Sequence, residues 1–346
     1  MTGIIKWCYC MWKIDTITNL INMLHNCHYY ALEICQNNQD KEMLHKEMKI
    51  AQKLTSLYAY YWPPFGIGVV LHYLFNPISF RLYEIYVQKH NSSEVPKLLP
   101  LPGWFPWDEH QYYGWSYFFQ ISGVTGCCMG SICYDQLYVA TLIIICSHLT
   151  FLSQALQLDF NRKKVKDNNL FEKRLRNCVE LHKEVLCFVE KLEIVGSPCM
   201  FVQCVQNIVI ICLCSFEAAT LQIEPGIQCL IQIFNLLEFS ICIAVQLLFF
   251  CFVASTITKL GLDVSYAVYS SKWVSSYDNL DYKIYNKKKN HLIKYAVLIM
   301  SARAQRPISL TGGPFYILSL ETFKSIMGIA VSNAVVLSQT YNRKAL

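Results

Sequence analysis

Residues 225–258 read PGIQCLIQIFNLLEFSICIAVQLLFFCFVASTIT and contain a single charged side chain, that of Glu238. The hydrocarbon core of a bilayer is about 30 Å thick, and a helix needs roughly 20 consecutive apolar residues to cross it. This stretch is longer than that. Its apolar residues are spread around the helix instead of forming one stripe, as expected where no face meets water. It therefore predicts a membrane-spanning helix.

Four other stretches have the same character, and none of them carries more than two charged side chains. Of all residues, 54% are hydrophobic and 16% charged, whereas about 25% are charged in soluble domains. The sequence therefore predicts an all-α integral membrane protein, a bundle of about five transmembrane helices in a single domain, and argues against a disordered or water-soluble chain. The predicted spans are 54–80, 117–158, 196–222, 225–258 and 310–341.

Basic residues are distributed unevenly among the segments that connect these spans. Of the 30 Lys and Arg residues, 24 lie in residues 1–53, 159–195 and 259–309. The positive-inside rule places such segments in the cytoplasm, as loops and helix extensions. Asn91 opens an Asn-Ser-Ser glycosylation sequon in the loop predicted to be outside. We therefore expect a cytoplasmic N-terminus and an extracellular C-terminus.

Four acidic side chains, Asp135, Glu217, Glu238 and Glu321, fall within the predicted spans, which contain almost no basic residue. A charge at bilayer depth costs about 3 kcal/mol on insertion scales and usually faces a cavity or the protein interior. One interpretation is a cation route or relay, and the other is a helix cap or a protonated side chain near the interface. The cap is favoured for Glu321, because an acid in the first turn of a helix favours the helix dipole.

The chain contains 17 cysteines, nearly all in predicted spans or cytoplasmic segments. They are interpreted as small hydrophobic residues, and no disulfide framework is predicted. Cys8 and Cys10, followed by His25, Cys27 and His28, match no strong zinc spacing. No nucleophile–base arrangement or phosphate loop is present. We therefore predict no catalytic residue, metal, cofactor or enzyme activity, and no nucleic-acid partner.

The most specific motif lies near the C-terminus, where residues 301–323 read SARAQRPISLTGGPFYILSLETF and precede an apolar helix. This stretch resembles the C-terminal signature of insect odorant receptors. In that family Arg-x-Gln-Arg-Pro, Leu-Thr-x-Gly and Ser-Leu-Glu-Thr-Phe precede the final transmembrane helix. The matching positions are Arg303, Gln305, Arg306, Pro307, Leu310, Thr311, Gly313, Ser319, Leu320, Glu321, Thr322 and Phe323.

A second match lies at residues 99–108, LPLPGWFPWD, with the later Tyr112, Tyr117 and Gln120. It is similar to the outer loop before the fourth helix of the same family. Over roughly residues 50–341, the resemblance implies that the five predicted spans are the third to seventh helices of a seven-helix fold. The chain would then begin near the cytoplasmic end of the family's second helix, and would be a form of the family truncated at the N-terminus.

The resemblance implies an odorant-gated, non-selective cation channel subunit in the plasma membrane of an olfactory neuron dendrite. Its partners would be a co-receptor subunit in a hetero-tetramer, a volatile small molecule and the lipid bilayer. The last helix of each subunit would line the pore, with gate positions at Val336 and Thr340 and with Gln339 near the narrowest point. A ring of valines can close a pore by dewetting. Plain packing or lipid contact is the alternative for Val336.

An odorant pocket is expected in the outer half of the bundle. Small-molecule pockets are lined mostly by apolar side chains with a few polar groups. Each candidate position is equally compatible with ordinary helix packing. The candidates are Val70, Tyr73, Leu74, Phe119, Ile121, Val124, Leu236, Phe239 and Ile243.

Three alternatives stay open. A gustatory-type receptor of the same superfamily ends with Thr-Tyr followed by Gln-Phe, and here Thr340 and Tyr341 are present without the Gln-Phe pair. A membrane transporter often shows internal repeats and broken helices, for which the Pro63-Pro64 pair is the one hint. A non-conducting fragment is the third. Odorant-evoked currents after co-expression with a co-receptor would separate these alternatives.

Overall fold

The computed structural model describes residues 2–87, 97–101, 103–109, 111–161, 168–220, 227–270 and 287–344. These residues form eight helices and one short hairpin. In chain order the elements are α1 (Thr2–Trp12), α2 (Ile14–Ile34), α3 (Asn38–Tyr86), α4 (Tyr113–Asn161), α5 (Asn168–Thr220), α6 (Ile227–Ser270), α7 (Lys287–Ala304), β1 (Thr311–Gly312), β2 (Tyr316–Ile317) and α8 (Leu320–Lys344).

The helices extend well beyond the apolar runs that predicted them. The 53 residues of α5 span about 80 Å at 1.5 Å per residue, more than twice the thickness of a hydrocarbon core. Charged stretches beside an apolar run therefore continue the helix. At the start of α3, Asp40 accepts a hydrogen bond from the Asn37 amide, in a capping box at the N-terminus of that helix.

Within the described part of the chain, α4, α5 and α6 are long and apolar enough to cross a membrane. The other two predicted spans fall in α3 and α8, and both are helical. Internal prolines and many Tyr, Trp and His residues make α3 less apolar, while Ser, Asn and Gln do the same for α8. The count of five spans and the orientation of the termini therefore stay predictions.

The start of the last predicted span differs from the structure. That span was expected from residue 310, but the helix α8 begins at Leu320. The preceding residues form β1 and β2, an antiparallel hairpin. The turn needs a glycine at position 313, since Gly313 has φ 70° and a helix cannot continue through such a conformation.

The first helix packs against the middle of α4. A Cβ atom on Gly3 would lie 1.8 Å from the carbonyl oxygen of Cys127, and one on Gly130 would lie 3.0 Å from the carbonyl oxygen of Gly3. Such glycines let two helix backbones approach closely, as is common between membrane helices. The packing places α1 beside the predicted 117–158 span, which the cytoplasmic assignment of residues 1–53 did not anticipate.

The second helix lies against α5. Cys27, Ala31 and Ile34 are fully buried at this contact, and the Asn177 side chain donates to the Glu33 carbonyl at 3.3 Å. Close by, Arg174 and Asp40 form a buried ion pair between α5 and the start of α3. Packing, a hydrogen bond and an ion pair thereby join the N-terminal part of α5 to α2 and to the start of α3.

Candidate functional site

The C-terminal signature folds as a hairpin against α5. Glu193, Ser197 and Phe201 follow one another at four-residue spacing and therefore share one face of α5. The Glu193 carboxylate accepts hydrogen bonds from the Thr311 amide at 3.1 Å and from the Thr311 hydroxyl. Ser197 Oγ accepts one from the Gly313 amide at 2.9 Å. The Thr and Gly of the signature thus hold the hairpin on the helix.

The turn of the hairpin leaves no room for a side chain. A Cβ on Gly313 would lie 2.8 Å from the ring of Phe201, and the positive φ of this residue disfavours any residue with a Cβ. The Phe201 ring also lies 5.6 Å from the ring of Phe315. Glycine is therefore required here by the backbone and by the neighbouring helix at once.

The signature is fastened to α6 at both of its ends. The Thr258 hydroxyl donates to the Ile308 carbonyl at 2.6 Å, before the hairpin. The Leu320 amide donates to Ser255 Oγ at 3.1 Å, after it. The hairpin therefore ties the beginning of α8 to both α5 and α6.

The start of α8 carries its own cap. Ser319 Oγ accepts a hydrogen bond from the Thr322 amide at 3.1 Å, as an N-cap serine does. Glu321 lies in the first turn, where its charge favours the helix dipole, and its side chain is exposed. The cap interpretation of Glu321 agrees with this placement.

We expect Thr258→Val to lower the free energy of unfolding by about 1 kcal/mol, because a typical internal hydrogen bond contributes that much and the Ile308 carbonyl loses its donor. Thr256→Val is the matched control, since Thr256 is half-buried on the same helix, as Thr258 is, and donates to the Phe252 carbonyl of its own helix. The two apparent melting temperatures in detergent measure the difference. Equal shifts for both variants would contradict a role for the Thr258 contact.

A second polar cluster lies inside the bundle. Lys6 Nζ on α1 donates to Asp135 Oδ1 on α4 at 2.7 Å, and both side chains are buried. Gln246 on α6 donates to the other carboxylate oxygen at 2.5 Å. Gln203 on α5 donates to Gln246 at 3.0 Å and to Asn207 at 2.7 Å. We call these five residues the buried polar network. It joins four helices.

The network corrects one expectation and adds residues that the sequence interpretation missed. Asp135 was expected without a basic neighbour in the spans, and its partner Lys6 comes from a segment assigned to the cytoplasm. Gln203 and Gln246 were detectable as polar residues within apolar runs. Nothing local in the sequence pairs them with Asp135, since the contacts join residues far apart in the chain.

The other acidic residues have different surroundings. Glu238 Oε2 lies 2.6 Å from His72 Nδ1, in a half-buried contact between α3 and α6. Glu217 is exposed near the end of α5. Of the four acids singled out from the sequence, Asp135 is thus the one that is fully buried.

The nine predicted pocket residues fall in separate neighbourhoods. The Leu74 carbonyl accepts a hydrogen bond from the Tyr117 hydroxyl, between α3 and α4. Phe119 is exposed and its ring lies 6.3 Å from that of Trp107 in the preceding loop. Ile243 packs in a small cluster with Ile211 and Ala330, towards α5 and α8. The remaining candidates are half-buried or exposed, namely Val70, Tyr73, Ile121, Val124, Leu236 and Phe239.

Geometry on α6 explains why these candidates do not share one lining. The α3-facing side of α6 is marked by Phe234 and Glu238, which both contact His72. Leu236 and Ile243 point away from that side on a helix with 3.6 residues per turn. The odorant pocket formed by the nine residues therefore stays a prediction.

One groove adjoins the hairpin, with a volume of about 550 Å³. None of the predicted pocket residues lines it. Its polar groups, Glu193 and Ser197, already hold the hairpin. The groove therefore belongs to the contact between α5 and the signature. Its lining is formed by Glu193, Ile194, Ser197, Pro198, Phe201, Thr311, Gly313 and Pro314.

The predicted gate residues lie on α8. The buried face of this helix consists of Ile326, Ala330 and Ala334. Val336 is 57% exposed and Gln339 is exposed, on another face of the helix. The side chain of Thr340, like the predicted glycosylation site Asn91, lies outside the described residues.

The cysteine-rich N-terminus forms no cluster of ligands. Among the described residues, no three His, Cys, Asp or Glu side chains are placed to hold a metal ion. Burial raises the pKa of the Cys27 thiol to about 12, and a thiol that stays protonated is a poor ligand. Packing accounts for this residue, which is fully buried on α2.

The sequence is similar to known odorant receptors along most of its length. A sequence model of the 7tm Odorant receptor family matches residues 1–331. Odorant receptor 94a of Drosophila melanogaster is 22% identical over 72% of this chain and 59% of its own length. Odorant receptor 10 of Aedes albopictus is 24% identical over 63% of this chain and 52% of its own length. The chain thus spans between 52% and 59% of these two relatives.

The fold is similar to that of a solved insect protein. The olfactory receptor OR5 from Machilis hrabei superposes with a TM-score of 0.69 and 17% sequence identity, over 98% of this chain and 87% of that chain. The structure of the same protein in complex with eugenol gives a TM-score of 0.65. At this identity the likeness shows a shared fold.

Proposed function

The chain belongs to the 7tm odorant receptor family, and from that membership we propose that it is one subunit of an odorant-gated, non-selective cation channel that assembles with a co-receptor. It is a multi-pass membrane protein and not an enzyme. The observation that carries the proposal concerns α8. The first turn of this helix is held to α6 by the hydrogen bond from the Leu320 amide to Ser255, and one face of the helix after that turn is exposed. A subunit that lines a shared pore must hold such a helix in place and leave one side of it open.

The composition of this exposed face supports a water-filled path. Ser325, Gly328, Ser332, Val336 and Gln339 are all exposed and are spaced three or four residues apart. Small and polar side chains suit contact with water and ions, and a valine among them suits a gate that closes by dewetting. We call these five residues the pore face of α8. With Thr340, they carry the proposed pore and gate.

The arrangement in the membrane is proposed from charge and sequence. Five spans, with a cytoplasmic N-terminus and an extracellular C-terminus, put 23 of the 30 basic residues in segments on the inner side, not counting Lys6, which is buried beside Asp135. The plasma membrane of an olfactory neuron dendrite is the proposed location. A volatile small molecule would bind among the outer halves of α3, α4 and α6. Eugenol in the related OR5 structure supports a small organic ligand of this kind.

The gate is tested by recording currents from the full chain co-expressed with a co-receptor. We expect Val336→Thr to raise the odorant-independent current several-fold, because a hydroxyl in the constriction favours wetting. Val331→Thr is the matched control, since Val331 is equally exposed on α8 but lies well away from the pore face around the helix. Surface delivery of both variants is measured alongside.

Two outcomes would contradict the proposal. Equal currents from the two valine variants would show that Val336 does not line the pore. A surface-delivered chain that gives no current with a broad odorant panel would favour the non-conducting alternative. Odorant-evoked current that depends on the co-receptor, with a leak specific to Val336→Thr, would support it.

A further inference from the structure

We propose that the loop before α4 lies in the headgroup boundary of the bilayer, with Trp104 inserted among the lipids. The described part of this loop comprises residues 98–101 and 103–109, and we call it the aromatic loop. Its partner is the lipid surface at the end of the bundle where α4 begins. The inference goes beyond the proposed function, because it holds whether or not the chain conducts ions.

The aromatic loop is tied back along the side of α4. The Leu101 amide donates to Gln120 Oε1 at 3.1 Å, and Gln120 Nε2 donates to the Leu101 carbonyl at 2.7 Å. Gln120 lies seven residues after Tyr113, so at 1.5 Å per residue it is about 10 Å along the helix. The backbone of the loop therefore runs beside the first two turns of α4 and does not project beyond its end.

Two further hydrogen bonds fix the level of the loop. The Trp107 indole N–H donates to Ser116 Oγ at 2.8 Å, and the Tyr113 hydroxyl donates to the Leu98 carbonyl at 3.0 Å. Both partners on α4 lie within its first turn. The loop is consequently a fixed part of the bundle surface at this height.

This height coincides with the start of a membrane-spanning helix. The apolar helix α4 begins at Tyr113, and its first turns expose Trp115 and Phe118, which are 70% and 62% exposed. Trp and Tyr concentrate at membrane–water interfaces, because their rings combine an apolar body with a polar group. A loop held beside these turns lies in the same layer.

The chemistry of the loop fits that layer. Residues 98–107 contain no charged side chain, whereas Lys97 and Asp108 border them on either side. Trp104 is 87% exposed, so it covers neither the bundle nor the neighbouring rings. An apolar ring with one N–H donor, held outward on a fixed loop, matches the boundary between acyl chains and headgroups. The geometry therefore points to lipid as its partner.

The test uses the full chain in lipid nanodiscs and compares its tryptophan emission with that of Trp104→Phe. The difference between the two reports Trp104 alone. We expect lipids brominated near the headgroup to quench this difference more strongly than lipids brominated near the chain end, and aqueous iodide to quench it weakly. Trp62→Phe is the control, since Trp62 is buried in the bundle and its emission should not respond to bromine at headgroup depth.

A photo-crosslinking residue at position 104 separates the possible partners. In membranes that contain the co-receptor, we expect adducts with lipid. Adducts with a second protein subunit would overturn the proposal, and so would strong iodide quenching of Trp104 without any effect of brominated lipid. Because Trp104 makes few contacts, the substituted chains should elute as the unmodified one does in size-exclusion chromatography.

Discussion

Asp135→Asn is expected to lower the free energy of unfolding by about 3–5 kcal/mol, the usual result of removing one partner from a buried ion pair. The substitution leaves the Lys6 ammonium buried without its countercharge. Asparagine has nearly the same shape and keeps a side-chain oxygen that can still accept the hydrogen bond from Gln246. The substitution therefore removes the negative charge and little else. Lys6→Met should destabilise by a similar amount, because it leaves the carboxylate buried.

The double variant Lys6→Met/Asp135→Asn makes the prediction specific. With both charges gone, neither is left unpaired, and we expect much of the lost stability to return. Heating in detergent followed by size-exclusion chromatography gives the four apparent melting temperatures. If the two single losses simply add in the double variant, the residues do not act as a pair. Lys183→Met, at an exposed ion pair with Glu180, serves as the control and should change nothing measurable.

Gly313→Ala is expected to have the second large effect. The backbone at φ 70° adds about 1–3 kcal/mol of strain for a residue with a Cβ. The new methyl group would also lie 2.8 Å from the Phe201 ring, and such overpacking costs about 1–3 kcal/mol. The hairpin should then separate from α5 and release the start of α8. Melting temperature and odorant-evoked current should fall together.

Two matched variants separate the causes. Gly68→Ala adds the same methyl group to α3, where no heavy atom lies within 4 Å, and should be neutral or slightly stabilising. Gly313→Asn tolerates the left-handed backbone but keeps the Cβ contact, so it should recover only part of the loss. If Gly313→Ala melts at the same temperature as the unmodified chain, the hairpin does not depend on this glycine.

The helices were largely predictable because the bilayer demands long apolar runs, and such runs are visible in one dimension. The start of α5 was not, since charged residues outside the membrane are equally compatible with a loop and with a helix. The first ten residues of the last predicted span formed a hairpin, because Thr311 and Gly313 find partners on α5. An apolar run alone does not reveal such a turn.

For each contact of the candidate site, the sequence pointed to one of the two residues and not to its partner. The signature marked Thr311 and Gly313 as important, but nothing in the sequence around Glu193 marks it as their partner. The pair of Lys6 with Asp135 illustrates the same limit, since each residue alone suggests an exposed base or a capped acid. Partners that come together by tertiary packing are absent from local patterns.

The tie at Leu320 has a mechanical consequence for α8. The helix is tied at Leu320 and buried along Ile326, Ala330 and Ala334, and Val336 lies 16 residues beyond Leu320, about 24 Å along the axis. A tilt of about 5° at the foot would therefore move Val336 by about 2 Å, given the rise per residue of a helix. A small movement where the hairpin contacts α5 and α6 would therefore produce a larger displacement at the C-terminal part of α8.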